Sequence, residues 1–576
     1  MNLENIRHSL AHILAASVQK LFPKTKFGIG PAIENGFYYD FQFPRDISEA
    51  DLARIESKMR ELINENLPLK KKIVSKAQAK KMFKNQPFKL ELIKELGGAK
   101  ISVYESVDFV DLCKGPHIKS TKEIPADAFK LTKIAGAYWK GDEKKPMLQR
   151  IYGVAFGTKK ELDDYLKMQA EAEKRDHRKL GRELDLFCFS DLVGAGLPLF
   201  TPKGTIIREE LQKEVERICR SYGFQKVSTP ALAKIDLYEI SGHAKKFGDE
   251  LFHVSSKTGH KFVLRPVQCP HQTQIYASRP RSYKDLPIRY MESDKQFRAE
   301  KPGEVGGLNR VYAITVEDGH SFCQADQVKE EIKIMVNIIK EFYSAMGLWQ
   351  NHFVSLSVRD YKHPEKYIGE KTDWDLCERI LQEVSDEMGL NAKKMEGEAA
   401  LYGPKLDFMF KDALGKEVQI PTVQIDFATP KRFNLAYIDK DGKEKTPVMV
   451  HRAILGSYER FLVLIIEHFA GAFPLWLSPV QAWVTPIGED HKKYAKEIRD
   501  NLAKNNMRVE LRDDNQTVSK KIREGEMQKI PYILVVGEKE ISENSVSVRE
   551  RKKGNLGMMP LENFIEKVKK EIEAKI

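Results

Sequence analysis

Cysteine is scarce in this chain: Cys113, Cys188, Cys219, Cys269, Cys323 and Cys377 are the six in 576 residues, and no two form a CxxC pair. That scatter excludes the dense disulfide framework of a small secreted scaffold and leaves reduced thiols as the expectation. Long apolar runs are missing too. No stretch reaches the roughly 18 uninterrupted apolar residues that a membrane span needs, and the first residues lead straight into an amphipathic helix with no apolar signal core. A cytoplasmic protein with no membrane partner is expected. No repeat period and no low-complexity tract stands out, so domain limits must be read from shifts in pattern.

What is present fits several globular domains. A chain of 576 residues is too long for one hydrophobic core. Hydrophobic residues at 41% and charged residues at 31% exclude wholesale disorder. The 95 Lys and Arg against 83 Asp and Glu give +12, which suits a polyanionic partner through phosphate neutralisation. The charged stretch EAEKRDHRKLGRELDLF reads as a helical connector and VGAGLPLFTPKG after it as turns, which places one boundary near Asp176. FPLWLSPV, with two prolines, places another near Pro474. The expected domains are 1–175, 176–474 and 475–576. The middle one combines a long helix around Ile206 to Cys219 with short β-branched runs, as an antiparallel sheet flanked by helices would. The last alternates helices and apolar runs, as βαβ units would.

Four groups of residues carry chemistry. IRHSLAHILAASVQKLF predicts a helix with the apolar stripe Ile6, Leu10, Ile13, Leu14, Val18 and Leu21, and His8 and His12 roughly opposite, facing away from the local core. DLCKGPH supplies Cys113 and His117 at the same i, i+4 interval beside Asp111. The two pairs could meet as a metal site or as a water-activating hydrolytic site; solvated histidines are the plain alternative. FRAEKPGEVGGLNRVYAITVEDGH sets Arg298 and Glu300 before a glycine-rich loop, with Arg310 opening the strand that follows. Both guanidinium forks could face phosphate in one cleft, or the segment is a salt-bridged hairpin. HRAILGSYERF reads as a strand end and small-residue turn feeding an apolar helix, with Arg460 on its second turn. Cys269, His320 and His451 are far apart and by spacing alone define no site.

Taken together, these strings resemble the threonyl-tRNA synthetase family from the first helix to the last strand. The FRAE segment resembles class II motif 2, HRAILGSYERF motif 3, and the long helix ending at GFQKVSTP, with Pro230, motif 1 at the family's dimer interface. HSLAH with DLCKGPH, NGFYYD and AGAYWKGD resembles the domain that deacylates seryl-tRNA. The resemblance implies an α+β multidomain protein: a class II antiparallel sheet core with helices, an N-terminal α+β editing domain and a C-terminal α/β anticodon-binding domain. It also implies a homodimeric threonine–tRNA ligase acting on L-threonine, ATP and tRNA(Thr), with one Zn²⁺ per subunit and Mg²⁺ alongside ATP. The bacterial type without the small N-terminal TGS domain is expected.

Position by position, Cys269, His320 and His451 match the family's zinc ligands. Arg298, Glu300, Arg310, Gln419 and Arg460 match its ATP-binding residues, and Asp318, Tyr402, Lys405 and Gln424 its threonine-binding residues. His8, His12, Asp111, Cys113 and His117 match its editing residues, and Glu540 and Arg549 its anticodon-binding residues. Three positions depart: Val316 stands where glutamine is usual, Gln272 where histidine is usual and Tyr312 where arginine is usual. These departures are expected to bear on substrate affinity and to leave the zinc ligands intact.

Overall fold

A computed structural model describes residues 2–106, 108–301, 303–412, 415 and 417–575. The chain divides into two compact units, Met1–Ala170 and Glu171–Ile576.

In the first unit, helix α1 (Leu3–Leu21) starts at Asn2, whose side chain accepts from the N–H groups of Glu4 and Asn5. The predicted stripe is buried from Ile6 to Val18, against a sheet that includes Gly36–Gln42, Phe129–Tyr138 and Met147–Ala155. Phe37, Tyr39 and Phe41 alternate along Gly36–Gln42 and point into that core. The opposite face of α1 corrects the expectation: His12 is only 3% exposed, and Ser9, Ala11 and Ala15 are buried with it. A three-stranded sheet (Lys70–Ser75, Lys100–Ser106, Phe109–Leu112) also contacts the helix, and the segment carrying His117 packs on that face.

In the second unit the connector is two helices, Lys159–Arg175 entering from the first unit and His177–Glu183, divided at Asp176, whose carboxylate accepts from the N–H groups of Arg178 and Lys179. The expected turns of VGAGLPLFTPKG contain a short strand, Leu199–Phe200, and the start of helix α2 (Pro202–Ser221), because Thr201 caps a helix whose first residue is proline. The core is an eight-stranded sheet. Its central strands are β1 (Ile288–Phe297), β2 (Ala313–Cys323), β3 (Lys405–Lys411), β4 (Glu417–Asp426) and β5 (Val448–Ser457), in the spatial order β1-β2-β5-β4-β3. These pairs are antiparallel, and the outermost pair at each edge of the sheet is parallel. One face is apolar: Leu406, Phe408, Val423, Ile425, Val450 and Ile454 share a core with helices Val328–Ala345 and α3 (Tyr458–Phe469).

HRAILGSYERF holds no separate turn. β5 runs through Gly456 to Ser457, which directly caps α3, so Arg460 lies on the first turn rather than the second. Arg310 precedes β2 instead of opening it. The C-terminal sheet is mixed: Val509–Leu511, Ala482–Pro486 and Tyr532–Val536 are parallel, as βαβ units require, and Ser545–Glu550 and Gly554–Pro560 are antiparallel. The three-residue link between that last pair is too short for a parallel crossover.

Candidate functional site

The polar face of the core sheet carries a row set by register. His320 on β2 pairs with His451 on β5, His451 with Gln424 on β4, and Gln424 with Lys405 on β3, so all four side chains leave the same face. Cys269, the first residue of helix Cys269–Ala277, meets that row, and the ligand atoms of Cys269, His320 and His451 lie within 4.8 Å of one another. Nε2 of His320 is buried with no hydrogen-bond partner, whereas His451 Nε2 is 3.0 Å from Asp426 Oδ2, which leaves Nδ1 as its other nitrogen. Asp426 is itself held by the N–H groups of Ala428 and Thr429.

Burial pushes the Cys269 thiol well up, helped by the Asp318 and Asp426 carboxylates, and pushes the His320 ring well down. Asp318 is pushed up to about 7, mainly by burial. One thiol and two imidazoles, one of them with an unpartnered buried nitrogen, beside two carboxylates, are a donor set that fits a tetrahedral zinc with one position open. Asp426, absent from the sequence reading, is the carboxylate that orients His451. Its alternation with Gln424 on β4 is the signal that could have found it.

Next to the row lie two arginines without carboxylates. Arg298 is half-buried, donates to Pro266 O and Gln296 Oε1, and sits 5.0 Å from the Phe247 ring centroid. Arg460 donates to Asn309 O at 2.9 Å. Among the described residues neither has a carboxylate within ion-pair distance. Burial, with the like charge of Arg460, pushes the Arg298 guanidinium below its ordinary range, which is the electrostatics of a site awaiting an anion. Arg310 differs: it pairs with Glu300 at 2.6 Å and Glu304 at 3.2 Å, the salt-bridged hairpin of the plain alternative.

Tyr402 lies with its ring centroid 5.5 Å from that of His451. Lys405 and Gln419 both contact Asp407, at 2.7 and 2.5 Å, a second carboxylate that sequence reasoning missed and that alternates with Lys405 on β3. Val316, Asp318 and His320 follow the β2 alternation onto one face. Of the other two departures, Gln272 is fully buried against His320, and Tyr312 packs beside Gly196 and Phe252.

The first unit holds a separate cluster. Cys113 Sγ is 3.3 Å from His8 Nε2 and 3.2 Å from His117 Nε2, and with His12 the four ligand atoms lie within 4.8 Å. Burial pushes His117 down to about 2 and His12 well down, so the rings are neutral. Asp111 lies 3.9 Å from His12, accepts from Tyr39 OH at 2.7 Å and pairs with the buried Lys89. Lys89 was also missed; it lies on an unremarkable lysine-rich stretch. In the C-terminal domain Glu540 is largely buried and accepts from Gly537 N–H and Ser547 Oγ, while Arg549 lines a groove with Lys529, Arg551 and Lys552.

The comparisons agree with this architecture. Residues 252–469 match the tRNA synthetase class II core domain (G, H, P, S and T), 481–571 an anticodon binding domain, and 101–152 the threonyl and alanyl tRNA synthetase second additional domain. The fold is thus that of a class II synthetase carrying those two extra domains. Threonine–tRNA ligase of Thermus thermophilus is 46% identical over 577 residues, covering 97% of this chain and 87% of that protein, and that of Gloeobacter violaceus is 46% identical over 573, covering 98% and 91%. The chain belongs to the threonine–tRNA ligase family. A solved structure described as the RNA binding domain of threonyl-tRNA synthetase from Cryptosporidium parvum superposes with a TM-score of 0.65 at 33% identity, covering 69% of this chain and 98% of that one. A prolyl-tRNA synthetase from Giardia lamblia, at 16% identity and TM-score 0.55, shares the fold alone, covering 71% of this chain and 80% of that one.

Proposed function

We propose that this chain activates L-threonine with ATP to threonyl-adenylate, transfers it to tRNA(Thr), and hydrolyses mischarged seryl-tRNA(Thr), in domains spanning 1–175, 176–474 and 475–576. The observation that carries this reading is the meeting of Cys269, His320 and His451 near Arg298 and Arg460, neither of which has an ion-pair partner among the described residues, in a chain 46% identical to threonine–tRNA ligases. Cys269, His320 and His451 would hold a zinc ion. When bound, the metal supplies a Lewis-acid position for the amino and hydroxyl groups of threonine. Asp318 accepts the hydroxyl proton, with Tyr402, Lys405 and Gln424 lining the pocket. Arg298 and Arg460 bind the α- and γ-phosphates, Gln419 the nucleotide, and the Glu300–Arg310 pair braces the loop between them, with Mg²⁺ bound to the nucleotide. Attack of the threonine carboxylate on the α-phosphorus is then positioning and charge neutralisation.

Specificity follows from the chemistry of that pocket. A site built to grip a hydroxyl rejects valine by a factor on the order of 10⁴ to 10⁵. Serine keeps the hydroxyl and lacks a methyl, worth only about 1–3 kcal/mol, so serine is charged and needs removal. His8, His12, Cys113 and His117, with Asp111, bind and orient a hydrolytic water in the first unit. Glu540 and Arg549 belong to the anticodon-reading surface, Glu540 by shaping the loop that it caps. Two copies pair through α2 and the segment from its end to Pro230, and the protein works in the cytoplasm.

The test is ATP–pyrophosphate exchange with purified protein and elemental analysis. Exchange should depend on threonine, with one zinc per chain, and Cys269→Ala should lose both. Exchange favouring serine or proline, or full activity without zinc, rejects the assignment.

A further inference from the structure

We propose that Gln272 is a positioning residue that fixes the tautomer of His320, holding its proton on Nδ1 and so turning the Nε2 lone pair to the metal. The inference rests on the zinc reading above.

A neutral imidazole has one donor and one acceptor nitrogen, and the partner of one decides the role of the other. His320 Nδ1 is 2.7 Å from Gln272 Oε1, and both residues are fully buried, out of reach of bulk water. Among the described residues Nε2 has no hydrogen-bond partner, and a ring nitrogen of His320 lies within 4.8 Å of Cys269 Sγ and of a ring nitrogen of His451; with Nδ1 taken by Gln272, Nε2 is the nitrogen left for that role. With the amide oxygen toward Nδ1, that nitrogen carries the proton and Nε2 is free to ligate. Were the amide reversed, its NH₂ would donate to Nδ1, the proton would move to Nε2, and the ligand would be lost.

The surroundings explain an amide rather than a carboxylate. His451 is already backed by Asp426, and Asp318 also faces the site, 3.6 Å from His320 Nε2. A neutral acceptor orients the ring without adding a third charge to a buried pocket. Gln272 also lies one helical turn after Cys269, so the same turn delivers a ligand and the group that orients another ligand. Its own Nε2 is buried without a partner, so the bond to His320 is the polar contact for which the side chain is placed.

The test uses the full-length protein as wild type, Gln272→Leu and Gln272→Glu, with zinc dissociation constants from chelator competition and visible spectra of the cobalt-substituted proteins. Leucine fills similar space without an acceptor; glutamate keeps the acceptor. The proposal expects Gln272→Leu to weaken zinc by about 10- to 100-fold with altered cobalt bands, and Gln272→Glu to bind at least as tightly as wild type. Equal affinity in wild type and Gln272→Leu overturns it. Equal weakening of both variants also overturns it, because a packing role would produce that result. A wild type that binds no zinc removes the metal reading itself, an outcome distinct from either.

Discussion

Replacing Arg452 by methionine tests what holds the metal row in place. Arg452 and Glu317 lie on the reverse side of β5 and β2 from His451 and Asp318, with side chains 0% and 2% exposed and Nη1 2.6 Å from Oε1. The guanidinium also sits 4.6 Å from the Phe224 ring centroid and crosses Gly319 so closely that a Cβ there would lie 2.6 Å from Cζ. Removing one partner of such a pair leaves a buried carboxylate uncompensated, at about 3–5 kcal/mol. Converting Glu317 to leucine as well removes that charge. It leaves the Ile454 N–H, now 3.3 Å from Glu317 Oε2, without its acceptor, at about 1–3 kcal/mol. The double variant should therefore be more stable than Arg452→Met alone by about 2 kcal/mol, read from urea unfolding midpoints of both proteins. Threonine-dependent exchange should fall in the single variant as β2 and β5 lose their clamp. A single variant costing under about 1 kcal/mol, or a double variant no better than the single, refutes the argument.

Val316→Gln should lower the KM for threonine about tenfold or more with less change in kcat, since an amide would reach the face shared with Asp318 and a hydrogen bond to a charged ligand is worth about 1.5–3 kcal/mol; an unchanged or higher KM rejects this. Lys89→Met should strip Asp111 of its ammonium and slow seryl-tRNA deacylation by on the order of 10²-fold, while threonine-dependent exchange is untouched. Normal deacylation would detach Lys89 from that chemistry. Burial pushes His12 and His117 down, so the unfolded chain takes up protons near pH 6.5 that the folded unit refuses. Stability of Met1–Ala170 is then full above pH 6.5 and falls below it, by about 2 kcal/mol per ring between pH 7 and 5. Hydrogen exchange in α1 should quicken beyond its intrinsic pH dependence, and His117→Asn should remove about one ring's share of the change; a flat wild-type profile contradicts the picture of buried, neutral rings.

Local pattern carried the helices furthest. The start of α2, capped by Thr201, lay in a stretch read as turns, whereas α1 follows from its apolar spacing, because a 3.6-residue period is a property of neighbouring residues. The face opposite the α1 stripe was misread for the same reason. Periodicity reports which side is apolar; what covers the other side, here His117 and a small sheet, comes from residues far along the chain. Arg460 shifted by a turn because β5 continues through an irregular stretch after Ala453 and pairs again at Ser457 with Val316, which small residues in isolation do not advertise.

By itself the sequence determined the residue types available, the strand alternation that puts Val316, Asp318 and His320 on one side, and, through resemblance, the family and its candidate ligands. Which of those groups meet was decided by the tertiary structure. His320 faces His451 only through the β2–β5 register, and Cys269 joins them from the start of a separate helix. Arg310 is neutralised by Glu300 and Glu304 while Arg298 is left beside Arg460 with carbonyls and an aromatic ring. Register and charge pairing depend on contacts between distant segments and on the burial that those contacts create, and burial sets whether a thiol, an imidazole or a guanidinium keeps its ordinary protonation.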